Sequence, residues 1–140
     1  MSTFDQKSAN VYALPYADAR RSVRHVFVRD YQTPVEIGVY DHEKGDTQPV
    51  RINVDLSVQE GETHHGDDIG RVVCYNEVVT GIEAIIAAGH INLVETLAEQ
   101  IAEMALKFDD VICSRVRVEK LAAIEKAASV GVEIERYKIS

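Results

Sequence analysis

The 140-residue chain contains no tryptophan, two cysteines, two methionines and three prolines. Cys74 and Cys113 lie far apart and form no Cys-x-x-Cys pair, so neither a disulfide-stapled scaffold nor a zinc site is indicated. No apolar run reaches the roughly 18 residues a membrane-spanning helix needs. Basic residues are scarce, 15 against 23 acidic ones, and the net charge is −8. An acidic chain has no general attraction to nucleic acid or to anionic lipid, which disfavours both as partners. The first residues, MSTFDQKSANVYALPYADAR, lack the apolar core of a secretory signal, so a cytoplasmic location is the expectation. The familiar nucleophile-elbow, dinucleotide, phosphate-loop and zinc-protease motifs are also missing. With 46% hydrophobic and 27% charged residues, the chain has the composition of one folded domain.

Residues 1–22 are polar and aperiodic and read as an N-terminal extension, whose Phe4, Tyr12 and Tyr16 could dock on a neighbour. The domain proper is expected over 23–140. A β-branched stretch runs to Ile37, with Pro34 marking a bend or an edge position because it has no amide hydrogen to donate. Val50, Ile52, Val54, Leu56 and Val58 then alternate with Arg51, Asn53, Asp55 and Ser57, a half-buried strand. Helical period follows: Val78, Ile82, Ile85 and Ile86 share one face, and Leu97, Ile101, Met104 and Ala105 another. Asn92 is placed as N-cap of the second helix, with Glu95 completing a capping box. Alternation returns at Ile112–Val118 and Val130–Ile134. The order β-β-α-α-β-β predicts an α+β fold, an antiparallel sheet with a helix pair on one face. Such a sheet has open edges, and joining edges between copies is one way to cover them.

Spacing alone gives little chemistry. His64, His65, Asp67 and Asp68 are crowded on one loop, and neighbours on a loop seldom converge on one ion, so a surface loop is the reading there. Taken singly, Glu43 is a loop acid, Tyr75 a helix-start aromatic, Glu95 a cap and Lys120 an end-of-strand charge.

Together, five segments carry more information. IGVYDHE (37–43), VVCYNEV (72–78), INLVETLAEQIA (91–102), VRVEK (116–120) and AASVGVEIER (127–136) resemble dihydroneopterin aldolases, in order and spacing. The resemblance extends to their close relatives, the dihydroneopterin triphosphate epimerases. It implies the tunnelling fold, with four antiparallel strands and two helices inserted between strands two and three. It also implies rings of four subunits, stacked as octamers, with pterin sites between neighbouring subunits. By this resemblance Lys120, Tyr75 and Glu43 are catalytic. Glu95 anchors the pterin ring, helped by Leu93, Val94 and Val73, and Gln48 holds a water near the lysine. No metal and no cofactor are implied, because the dihydropterin ring itself receives the electrons of the retro-aldol step. Lys120 is followed by Leu121 where many aldolases have proline, a trait nearer the epimerases. Aldolase, epimerase and a non-catalytic pterin-binding relative are therefore the three functions implied.

Overall fold

The computed structural model describes residues 16–61 and 64–139. Four strands, β1 (Val23–Val35), β2 (Gln48–Gln59), β3 (Val111–Lys120) and β4 (Val130–Tyr137), form one sheet in sequential order, every pair antiparallel. Two helices, α1 (Tyr75–Ala87) and α2 (Val94–Leu106), lie between β2 and β3 in the chain and cover one face of the sheet. The β-β-α-α-β-β order is the one predicted from periodicity.

Alternation along β2 decides which face is covered. Val50, Ile52, Val54, Leu56 and Val58 are all at most 5% exposed and pack with Val116 and Val118 of β3. Val78 and Ile82 of α1 meet them, as do Leu97, Ala98, Ile101, Ala102 and Ala105 of α2. Burying this much branched aliphatic surface drives the helices onto the sheet, at about 1.5–3 kcal/mol per large side chain. Gly81 permits close helix contact, since a Cβ there would run into Met104. The opposite face carries a charge ladder: His25–Asp55 at 2.6 Å, Arg51–Glu119 at 2.9 Å and Arg115–Glu135 at 3.2 Å.

Three local features differ from the sequence reading or refine it. β1 has a bulge between Val28 and Tyr31, where Asp30 takes a positive φ of 55° and its N–H donates to the Asn53 side chain at 2.8 Å. Pro34 sits on an edge strand and faces Pro49, so two missing donors fall at one rung of the ladder. Asn92 is not the N-cap of α2. That position is Leu93, in extended conformation and without a side-chain cap bond. The cause is upstream: buried Ile91 bridges Ile37 in parallel, exchanging backbone bonds with Glu36 and Gly38, and this holds the chain extended past Asn92.

Tyr16 lies on its own sheet. Its hydroxyl donates to Glu135 at 2.7 Å, its ring covers the Arg115 guanidinium, and the turn at 18–22 folds back to β1 through an Asp18–Val23 bridge. Phe4 and Tyr12 lie outside the described residues.

Candidate active site

One end of the sheet brings together residues that are remote in the chain. Val50 faces Lys120 across β2 and β3, and Gln48 precedes Val50 by two positions, so Gln48 and Lys120 project from the same, helix-covered side. Glu43 reaches over them from the β1–β2 connection. Its Oε2 accepts from Lys120 Nζ at 2.7 Å and from Gln48 Nε2 at 3.0 Å. Its Oε1 accepts from the Tyr40 N–H at 3.3 Å, while its own N–H donates to the Tyr40 carbonyl, closing a short 3-10 turn at Asp41–Glu43. Both partners are sheltered: the side chain of Lys120 is 16% exposed and that of Glu43 9%. The Lys120 bond, then the Gln48 bond, hold the Glu43 carboxyl down to about 2 against the usual 4.5, so it is ionised at neutral pH.

Lys120 is fixed from behind as well. The preceding residue, Glu119, is buried on the other face and takes a two-pronged bond from Arg51, at 2.9 and 3.1 Å, and one from Ser129 at 2.7 Å. Arg51 first, with Ser129 and the Arg117 charge, lowers the Glu119 carboxyl to about 2 against the opposing effect of burial. The following residue, Leu121, donates its N–H to the Pro49 carbonyl at 3.1 Å, a bond that a proline at this position could not make. The network around Glu119 was invisible to spacing, because Arg51, Glu119 and Ser129 become neighbours only through strand register.

The first turn of α2 belongs to the same end of the molecule, through the Ile37–Ile91 bridge. Leu93 and Glu95 are exposed there, and Val94 packs on the core edge. Tyr75 and Val73 lie elsewhere. Tyr75 opens α1, is 60% exposed, and with Val73 lines a cleft of about 1040 Å³ that also includes Arg24, Val58 and Gln59. These are residues of the start of β1 and the end of β2. At about 3.4 Å per residue, the eight steps from Val50 to Val58 put the two groups roughly 20–30 Å apart. One chain thus holds Glu43, Gln48, Leu93, Val94, Glu95 and Lys120 at one end and Val73 and Tyr75 at the other.

His64 and His65 also line that cleft, their rings 4.1 Å apart. Each uses Nδ1 to accept a backbone N–H two residues on, from Gly66 and Asp67. Among the described residues no group of three or more His, Cys, Asp or Glu is arranged to hold a metal ion, and no helix is long and apolar enough to cross a membrane.

The two lowered carboxyls give the fold an acid limit. A group whose folded pKa is depressed adds stability that is complete above its unfolded value and is lost as pH falls through the folded one. Glu43 and Glu119 place that loss between 4.5 and about 2. It amounts to on the order of 3 kcal/mol for each group. Urea midpoints should therefore be level from pH 7 to 5 and drop steeply below 4.5, with Glu119→Gln showing a shallower drop. A midpoint unchanged down to pH 2 would contradict this.

The sequence profile of the dihydroneopterin aldolase family (FolB) matches residues 26–135. The dihydroneopterin aldolase of Escherichia coli (strain K12) is 28% identical over 111 residues, covering 79% of this chain and 91% of that protein. The crystal structure of a Burkholderia thailendensis dihydroneopterin aldolase bound to guanine superposes with a TM-score of 0.74 at 34% identity, over 84% of this chain and 93% of that one. The Escherichia coli enzyme in complex with neopterin gives 0.74 at 28% identity, over 80% and 97%. The sheet order, the helix pair between β2 and β3 and these matches make the architecture the tunnelling fold, and the chain belongs to the dihydroneopterin aldolase family.

Proposed function

We propose that this protein is a dihydroneopterin aldolase of folate biosynthesis, cleaving the side chain of dihydroneopterin to give hydroxymethyl-dihydropterin and glycolaldehyde. The observation that carries this reading is the Lys120–Glu43–Gln48 cluster beside the exposed first turn of α2. Glu95 accepts two neighbouring N–H groups of the pterin, a charge-assisted pair, at the end of a helix where a carboxylate is electrostatically favoured. Leu93 and Val94 flank the ring. The hydroxylated side chain then extends toward Lys120 and Glu43. The hydroxyl next to the breaking carbon–carbon bond gives up its proton to the Lys120 amine, directly or through a water held by Gln48, while the Glu43 carboxylate holds the hydroxylated side chain. The bonding electrons move into the ring imine, so the substrate supplies its own electron sink. The resulting enol-like carbon is reprotonated from Tyr75. Positioned acid–base groups of this kind contribute roughly 100- to 10,000-fold in rate.

Tyr75 takes part only if it comes from another copy. The distance between the two groups of residues in one chain supports an oligomer in which the Lys120 end of one subunit meets the Tyr75 end of the next. Repeated head to tail, such a contact closes as a ring when its rotation divides a full turn. Exposed Val39, Tyr40 and Leu93 at one end and Ile69 and Tyr75 at the other provide apolar surface for it. The family resemblance implies four subunits per ring, stacked as an octamer. The unpaired thiols Cys74 and Cys113 suit a cytoplasmic location.

Product analysis tests the activity: dihydroneopterin should yield glycolaldehyde, whereas its triphosphate should be neither cleaved nor epimerised at a comparable rate. Leu121 after the lysine keeps the epimerase as the second reading, and turnover of the triphosphate alone would select it. Mixing tests the shared site. Tyr75→Phe and Lys120→Ala proteins, each nearly inactive, should recover about a quarter of wild-type activity after joint dissociation and reassembly, because one site in four is then built from two intact halves. No recovery on mixing would mean that Tyr75 and Lys120 do not share a site between subunits.

A further inference from the structure

Gly38 is the pivot of the loop that delivers Glu43. Its φ of +135° is a conformation that L side chains rarely adopt, and a Cβ added there would fall inside the Glu43 side chain. Glu43 therefore lies directly against a bare backbone, and the orientation of the Gly38 peptide sets where its carboxylate sits. Three bonds fix that backbone. The Gly38 N–H donates to the Ile91 carbonyl at 2.9 Å, and the Ile37 carbonyl accepts from Gln48 Nε2 at 2.7 Å. The Gly38 carbonyl accepts from His90 Nε2 at 2.7 Å. A carbonyl has no proton to give, so Nε2 of His90 is the protonated nitrogen.

We propose that His90 is a positioning residue for the Lys120–Glu43–Gln48 cluster: its ring locks the Gly38 carbonyl and thereby holds Glu43 over Lys120. It touches no reacting atom. This rests on the reading of that cluster as the reacting site. Glycine leaves the peptide between residues 38 and 39 free to rotate, and that rotation would swing the whole turn carrying Tyr40 and Glu43. The Ile91 bond restrains only the peptide before it. His90 also precedes Ile91, Leu93 and Glu95 on the same segment, so the ring ties the lysine's partner to the helix end that anchors the pterin.

Two substitutions separate this role from simple packing. His90→Leu removes the donor, while His90→Gln keeps one at similar reach. His90 is exposed, so both should fold. His90→Leu is expected to lower kcat for dihydroneopterin about tenfold, with KM changed by less than about twofold, because misplacement of a reacting group acts on the chemical step. His90→Gln should return kcat to within about threefold of wild type. In the unliganded protein, amide exchange over residues 38–48 should quicken in the Leu variant and not in the Gln variant, with residues 50–58 unchanged in both. Exchange is independent of any substrate, so it tests the clamp even if wild-type protein proves not to cleave dihydroneopterin, which would defeat the activity reading alone. Wild-type exchange over 38–48 in His90→Leu, or an equal loss of kcat in both variants, would overturn the proposal.

Discussion

Lys120→Ala is expected to lower turnover of dihydroneopterin by about 100-fold or more while weakening pterin binding far less. The asymmetry follows from where Lys120 points. Its ammonium is committed to Glu43 at 2.7 Å, at the end of the sheet where the side chain of the substrate would react, whereas the ring is assigned to Glu95 on α2. Alanine leaves the Glu43 carboxylate with the Gln48 amide and the Tyr40 N–H, so its position is largely kept but its proton relay is broken. The pH dependence should change with it. Lys120 is the largest cause of the lowered Glu43 carboxyl, so the variant should protonate Glu43 at a higher pH than the wild type does. Steady-state kinetics beside fluorescence titration of neopterin separates the two effects. Unaltered kcat would remove Lys120 from the chemistry. Equal losses in kcat and in affinity would make it a binding residue.

Glu95→Gln is expected to do the reverse, abolishing most pterin affinity while sparing the fold. A charged acceptor facing two donors is worth roughly 1.5–3 kcal/mol more than a neutral arrangement, or about 10- to 150-fold in Kd. Stability should hardly move. Glu95 is exposed in the first turn of α2, and no side chain caps that helix start. Only a weak interaction with the helix dipole is lost, of a few tenths of a kcal/mol at an exposed site. Thermal melting within about 2 °C of wild type, with neopterin binding lost, is the expected pair of results. A variant that melts early yet binds normally would restore the capping role that the sequence alone first indicated.

The sheet and helices were legible because burial writes a period into the chain. β2 shows it most plainly, five apolar residues on one side and four polar ones on the other, and the two helix stripes follow the same logic. The bulge at Arg29–Asp30 shifts the alternation of β1, whose inward residues are Val26 and Val28 before it and Tyr31 and Val35 after it, a change of phase within one stretch that the sequence reading passed over. The start of α2 was misplaced by one residue because a cap preference is local, and a buried bridge from Ile91 to Ile37 overrode it. The site was illegible from spacing for a related reason. Glu43 and Lys120 are 77 positions apart and Gln48 only five from Glu43, yet all three meet on one carboxylate oxygen. Strand register creates that meeting, and register depends on pairing partners that no short segment contains. Family resemblance pointed to these residues, but it did not point to Gly38, His90 or the Arg51–Glu119–Ser129 group.

The clamp between residues 36–38 and 90–91 also bears on how the molecule is built. Gly38 and His90 are 52 positions apart, so this contact closes a longer loop than the local β1–β2 hairpin does. Until it closes, nothing outside the β1–β2 connection steadies the backbone beneath Glu43. A chain that has completed its sheet but not this junction would be compact, near-native in secondary structure, and inert. In such a chain recovery of activity would follow recovery of circular dichroism with a delay, and closing the junction would be the step that arms the site.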